Sequence, residues 1–331
     1  MNHQTNRTLD PILEVQNLKK YFPVTGPFGR LGGIKGQVKA VNDVTLKLYE
    51  GETYGLVGES GSGKSTTGRT ILRLTEPTNG KVFFQDKDIF QASKKEVRLL
   101  RKDIQMVFQD PYSSLNPRKR IGKILEEPLM IHTNVNKNER RERVFDILEK
   151  VGLGMEHYYR FPHEFSGGQR QRIGLARALV VNPKIVICDE PVSALDVSIQ
   201  SQVINLLQKL QDDLHLTYLF ITHDISVVRH ISDRIGVMYL GNIVEEGRNE
   251  DIFARPLHPY TQALFSAVPR TNRAGKRERI VLKGEIPSPL NPPSGCMFHT
   301  RCPFALEKCR IEVPQRKEMK QDHYVACHLY E

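Results

Sequence analysis

The chain has 331 residues, 39% of them hydrophobic, and a formal net charge of +10; that is enough apolar content for a large core, while a mean hydropathy of −0.42 is that of a water-facing surface. No apolar run approaches the ~20 residues of a membrane span, and Met1-Asn2-His3-Gln4-Thr5-Asn6-Arg7 lacks the apolar segment of a secretory signal, so a soluble, cytoplasmic chain is expected and any membrane role falls to a partner. The basic residues are scattered, Trp is absent, and no aromatic-interleaved basic stripe occurs, which argues against nucleic acid as a partner.

In chain order, Ile12 to Leu18 and Val44 to Leu48 alternate as strands, and the Gly- and Pro-rich stretch between them, Pro23 to Gly36, reads as a loop. Thr53-Tyr54-Gly55-Leu56-Val57 is a strand that enters Gly58-Glu59-Ser60-Gly61-Ser62-Gly63-Lys64-Ser65-Thr66, and Ser65 to Leu74 is the helix that leaves it. The segment satisfies G-x-x-x-x-G-K-[ST], the phosphate loop. Its glycines let backbone N–H groups close on a polyphosphate, and the helix adds its unpaired N–H groups and the positive end of its dipole. Lys64 is placed to reach the β- and γ-phosphates of ATP, and the Ser65 hydroxyl to ligate Mg2+.

Lys81 to Phe84 and Ile104 to Phe108 are further strands, and the text from Pro111 to Phe165 is helical and polar. Val144, Ile147, Leu148 and Val151 share one helical face that Gly152 ends. Ser166 caps a helix that begins Gly167-Gly168-Gln169 and runs to Val180. Ile185-Val186-Ile187-Cys188-Asp189-Glu190 is an apolar strand ending in two acids. Asp189 is placed to hold Mg2+ through water, and Glu190 to act as general base or to orient the attacking water. A long amphipathic helix from Ile199 to Leu214 leads into a buried strand, Leu219 to Ile221, and Arg234 to Tyr239 pairs with Asn242 to Glu246 as a hairpin around Gly241. Strands alternating with helices around a phosphate loop give an α/β fold. The expected architecture is a phosphate-loop NTPase with a mostly parallel core sheet, an antiparallel β subdomain and an inserted helical subdomain. It divides into an ATPase domain over 1–257, with its helical insertion over 111–165, and a small cysteine-containing C-terminal region over 258–331.

The order of phosphate loop, Gln109, Ser166-Gly167-Gly168-Gln169, acidic strand end and His223 resembles the ABC-transporter ATPase family over Ile12 to Arg255. The Ser-Gly-Gly-Gln segment separates that family from other phosphate-loop proteins. The resemblance implies that Phe22, with Tyr21 as a neighbouring candidate, stacks on adenine. It implies that Gln109 senses Mg2+ and touches the membrane subunit, that Ser193-Ala194-Leu195-Asp196 links the two sites of a dimer, and that His223 contacts the γ-phosphate. It also implies that Ser166 to Gln169 cap the nucleotide held by the facing subunit, so that ATP is the glue of a head-to-tail pair whose hydrolysis opens it.

After about Val268 the sequence reads as loop, with Pro287, Pro289, Pro292 and Pro293, and it carries four of the five cysteines, Cys296, Cys302, Cys309 and Cys327. Their spacing is not the C-x2-C of common zinc fingers, yet four soft thiolates suit Zn2+ or an iron–sulfur cluster. Cys188 reads as inert packing, and His299, His323 and His328 as surface residues. The segments around Gly295 to Cys327, Pro256 to Thr261, Glu285 to Pro289 and Gln109 to Arg118 are similar to the ATPase subunits of dipeptide and oligopeptide importers. The long N-terminal loop is similar to the OppF/DppF type. This second resemblance implies a 4Fe-4S cluster on the four cysteines and ATP hydrolysis that powers peptide import. The implied partners are a second, OppD/DppD-type ATPase subunit, two membrane permeases and an extracytoplasmic peptide-binding protein, at the cytoplasmic face of a bacterial membrane. Nickel or glutathione import by the same subunit type is the near alternative. A soluble ABC ATPase of translation or DNA repair is the distant one, disfavoured by the single phosphate loop and the lack of extended heptads.

Overall fold

The structure is a computed structural model that describes residues 10–26, 29–110, 115–267 and 280–331. Pro111 to Ser114 and the basic run Arg273 to Arg279 therefore lie outside the described residues. Twelve strands occur among them: β1 (Leu13–Gly26), β2 (Gly29–Leu48), β3 (Thr53–Val57), β4 (Asn79–Phe84), β5 (Lys87–Asp88), β6 (Ile104–Val107), β7 (Ile185–Asp189), β8 (Thr217–Thr222), β9 (Arg234–Tyr239), β10 (Asn242–Arg248), β11 (Arg316–Lys320) and β12 (His323–Ala326). The main path runs β5-β4-β1-β2-β10-β9-β3-β8-β7-β6, with β12 joining β10 and β11 outside it.

The centre is parallel. β3 pairs with β8 and β9, β7 with β8, and β6 with β7, all in parallel register. Every residue of β3, β7 and β8 is buried, the pattern of strands covered on both faces. The register sets Val57 against Thr222 and Asp189 against Ile221. The carboxyl ends of β3, β7 and β8 thus share one edge of the sheet, where open α/β sheets bind ligands.

Helices cover this sheet. Lys64–Ile71 follows β3. Between β6 and β7 lie Ile121–His132, Lys137–Lys150 and Gly167–Leu179, and their buried Leu125, Leu129, Val144, Leu148, Ile173 and Leu175 belong to one apolar cluster. Val144, Ile147 and Leu148 are buried on the second of these helices, and Gly152, at φ 74°, turns the chain just beyond it. Val197–Leu214 buries Val203, Ile204, Leu207 and Leu210.

Two sequence expectations fail. Among its described residues, the stretch Pro23 to Gly36 is not a loop. The hairpin of β1 and β2 continues through it, pairing Pro23 with Gln37, Val24 with Gly36 and Thr25 with Ile34 across several register shifts. Proline is tolerated because β1 loses its other neighbour, β4, after Lys19, so Pro23 sits on a free edge. Bulges then absorb the irregular spacing. The tail is not loop throughout either: β11 and β12 form an antiparallel pair, and β12 adds to β10 through Glu245 and Val325. All of β11 is exposed, so it offers no apolar alternation to read.

A buried charge network fixes that tail. Glu246 accepts from Arg234 (2.5 Å) and from Arg316 (2.6 Å), and Arg234 also lies 3.4 Å from Glu52. Burial pushes the Glu246 carboxyl up, and the two guanidinium groups oppose that shift. Removing the shared carboxylate leaves buried Arg234 with only the longer contact to Glu52 and takes from the more exposed Arg316 the carboxylate it pairs with. Glu246→Ala is therefore expected to lower unfolding stability by about 3–5 kcal/mol in denaturant melts; a loss below about 1 kcal/mol would be that of an exposed pair and would contradict the role given to the network.

Candidate active site

The phosphate loop leaves β3 and closes onto the helix Lys64–Ile71, whose N-cap, Gly63, supplies no side chain to the first turn. The leading N–H groups of that helix therefore remain for a ligand. Gly63 holds φ 105°, and a Cβ there would fall 2.0 Å from the Ala40 carbonyl oxygen, so only glycine fits. Lys64 is buried, and its Nζ donates to the carbonyls of Gly58 (2.9 Å) and Glu59 (3.0 Å) and to Ser62 Oγ (3.4 Å). Burial lowers its pKa, against the pull of Glu190, Asp189 and Glu59.

The end of β7 supplies the two acids. Ser65 Oγ donates to Asp189 Oδ1 at 2.6 Å. Asp189 Oδ2 is buried without a hydrogen-bond partner and has the Arg69 guanidinium at 3.5 Å. Burial raises the Asp189 pKa, opposed by the Ser65 hydrogen bond and by Arg69. A buried, under-satisfied carboxylate oxygen beside a hydroxyl suits a hard divalent cation. Glu190 turns off the strand at φ 47°, a conformation that costs a non-glycine residue energy and clusters at functional sites. Its N–H donates to Ile221 O at 2.9 Å. In that pose Glu190 Oε2 accepts from Gln109 Nε2 at 2.7 Å, and Oε1 lies 3.2 Å from His223 Nδ1.

One cleft of about 790 Å³ gathers Gly58 to Gly61, Gly63 to Thr66, Gln109, Glu190 and His223. Val38, Ala40, Leu264, Ile286 and Pro289 complete its wall. Neither aromatic candidate for adenine is on that wall. Phe22 is 39% exposed with Lys20 Nζ 4.8 Å from its ring centroid, and its cross-strand partner is Val38. Tyr21 donates its hydroxyl to Asn42 Oδ1 at 2.7 Å. Ser166 is the N-cap of its helix: Gln169 N–H donates to Ser166 Oγ, and Ser166 N–H to Gln169 Oε1. None of Ser166 to Gln169 lines the cleft around Lys64. Leu195 of the loop Ser193 to Asp196, and Ile199 of the helix that follows it, lie against Gly167 and Gly168. Ser193 Oγ donates to Glu190 O (3.1 Å), Asp196 stands at the N-cap position of the helix Val197–Leu214 without a side-chain capping bond, and Ala194 is exposed.

The chain matches the sequence profile of the ABC transporter family over residues 41–193, and that of the oligopeptide/dipeptide transporter C-terminal region over 244–309. It is 57% identical to the oligopeptide transport ATP-binding protein AppF of Bacillus subtilis, over 97% of this chain and 98% of that one. It is 51% identical to the dipeptide transport ATP-binding protein DppF of Escherichia coli, over 99% and 97%. The chain belongs to the ABC transporter ATP-binding family. Among solved structures it resembles the dimeric post-hydrolysis ATP-binding cassette MJ0796 bound to ADP and Pi, with a TM-score of 0.64 and 31% identity over 72% of this chain and 98% of that one. CbiO1 of Clostridium perfringens gives 0.63 and 29% identity over 75% and 92%. ATP and Mg2+ are the ligands of an ABC ATPase.

The cysteine region departs from expectation. Among the described residues no three His, Cys, Asp or Glu side chains form a group able to hold a metal ion, so the four thiols are not assembled as a cluster site. They are nevertheless neighbours: burial first, and then the nearby Cys296, Cys302 and Cys309, push the Cys327 thiol up to about 11. His323 and His328 are not surface residues either. Both are buried, His323 Nε2 at 2.8 Å from Glu245 Oε1 and His328 Nδ1 at 2.6 Å from Glu331 Oε2. Contacts with Glu245 of β10 and with Glu331 hold them inside, which a reading of isolated histidines misses. Sequence reasoning also missed Arg69 beside Asp189, one turn after Ser65 on the same helix; helical spacing from the loop serine would have found it.

Gly63→Ala is expected to weaken ATP binding at least about tenfold in equilibrium titration, because the loop must shift off the Ala40 carbonyl. Unchanged affinity would show that the close backbone approach is dispensable.

Proposed function

We infer that the chain is the ATP-hydrolysing subunit that powers peptide import through an ABC transporter, and that it works as one half of a two-site nucleotide clamp. The observation that carries the chemistry is the convergence of Lys64, Ser65, Asp189, Glu190, Gln109 and His223 at the carboxyl edge of the parallel strands. Lys64 and the loop N–H groups bind the β- and γ-phosphates. Ser65, Asp189 and Gln109 would hold Mg2+, which neutralises charge on the phosphate oxygens when bound. Glu190 accepts a proton from the attacking water, and its left-handed backbone fixes the direction from which it does so. His223 orients Glu190 and faces the γ-phosphate.

Ser166 to Gln169 serve the facing subunit's ATP. Their absence from the cleft wall and the exposure of Ser166 support this, as does the packing of Gly167 on Leu195 of the linking loop. No helix among the described residues is long and apolar enough to cross a membrane, so attachment to the cytoplasmic face runs through two permeases. Those permeases dock beside Gln109, near a cavity of about 270 Å³ lined by Leu74, Phe108, Pro128 and Ile131. A second ATPase subunit and an extracytoplasmic peptide-binding protein complete the assembly. The names of the relatives favour peptide over nickel or glutathione.

The four cysteines are proposed as a thiolate site for a 4Fe-4S cluster, with Zn2+ as the alternative, on donor chemistry alone. Cys309 Sγ accepts from the Leu306 N–H at 3.4 Å, the kind of hydrogen bond that tunes cluster sulfurs. No step of ATP turnover is routed through this group.

Glu190→Gln keeps the shape of the side chain and removes the base. It is expected to leave ATP binding intact and to lower the turnover of the assembled transporter by about 10²–10⁴-fold; near-normal turnover would contradict the assignment. Anaerobic purification of the full chain is expected to yield iron and acid-labile sulfide together. Stoichiometric zinc without iron would replace the cluster assignment, and metal-free protein would remove both.

A further inference from the structure

Glu59, the second residue of the phosphate loop, is fixed at every polar group. Its carbonyl accepts from Lys64 Nζ (3.0 Å) and Ser62 N–H (3.2 Å). Its N–H donates to Tyr260 Oη at 2.9 Å. Its carboxylate is clamped by both arms of Arg301, Nη1 to Oε2 at 2.7 Å and Nη2 to Oε1 at 3.1 Å. Two of these holds come from the far end of the chain, 201 and 242 residues away, in the region beyond the ATPase domain expected from sequence.

The clamp is built rather than incidental. The Arg301 side chain is 7% exposed and that of Glu59 27%. Arg301 N–H donates to Phe298 O at 3.0 Å, and its guanidinium lies 5.9 Å from the Tyr239 ring centroid. Tyr239, Tyr260 and Phe298 pack mutually, with centroids 4.7 to 5.5 Å apart. The hydrogen bonds to Glu59 lead the causes that push the Arg301 pKa up. A two-armed Arg–carboxylate contact fixes orientation as well as charge.

Electrostatics give the clamp a task. Glu59 lines the cleft, so an unpaired carboxylate there would face the polyphosphate with like charge. We propose that Arg301 is a positioning residue for ATP: it neutralises and orients Glu59, and so makes the C-terminal cysteine region, through the neighbour of Cys302, a structural wall of the nucleotide site. The inference rests on the reading of the phosphate loop as the ATP site, and the test separates the two.

ATP binding is titrated with the full-length chain, and steady-state ATPase is measured in the assembled transporter. Arg301→Ala is expected to raise Kd and KM for ATP by about tenfold while kcat changes by less than about twofold, the signature of lost positioning in the ground state. Arg301→Lys keeps the charge but not the fork, and is expected to fall between the two. Glu59→Gln combined with Arg301→Ala removes the stranded carboxylate and is expected to recover most of the affinity. That recovery is not produced by a purely structural role, because a tail loosened by Arg301→Ala stays loosened. Wild-type Kd in Arg301→Ala, or a double variant as weak as the single one, overturns the proposal. Lys64→Ala is the control: ATP binding retained there would sink the reading of the loop itself, whereas loss in Lys64→Ala with none in Arg301→Ala would sink only the Arg301 assignment.

Discussion

A single hydrogen bond of 2.6 Å joins Ser65 to Asp189 across 124 residues of chain, and the site depends on it. It ties the helix that leaves the phosphate loop to the last residue of β7. Parallel pairing makes the bond available, because β3 and β7 both flank β8 and run the same way. Slipping a strand by one residue would turn Asp189 to the other face. The continuous burial of β7 and β8 penalises that slip, and so the core fixes the position of an acid it does not otherwise need.

Glu190 shows how the same strand end serves two purposes. Asp189 is still in the strand and buried, whereas Glu190 has left it in a left-handed turn. Adjacent acids with one orientation would repel each other in a single pocket. Here one faces Ser65 and Arg69 and the other faces Gln109 and His223. The division separates a group suited to a cation from a group suited to a water molecule, and it is set by one backbone dihedral angle.

Much of this was legible in the sequence, for a physical reason. The phosphate loop, the apolar strands and the amphipathic helices are local patterns that state their own geometry, and Ser166 announced its capping role through Gln169 three residues on. What escaped were contacts between distant residues with no period. Pro23 to Gly36 looks like loop because its glycines and two prolines are local signals, while the pairing of its two arms is not. β11 is charged at every position but Met319 and holds its place through Arg316 on buried Glu246. Arg301 and Glu59 carry no mutual signal across a separation of 242 positions. The four cysteines were read as one site from their clustering, yet proximity alone does not orient four sulfurs around a metal.

The central claim is that the Ser-Gly-Gly turn completes a nucleotide site on another subunit. Its most direct test is the distance between a spin label at Ser166 and one in the partner's phosphate loop, measured by pulsed dipolar spectroscopy in the assembled transporter. The account predicts a long distance without nucleotide, a short one when ATP is bound in a hydrolysis-deficient background, and a return to the long one with ADP. A distance that stays long and unchanged through all three states would contradict it.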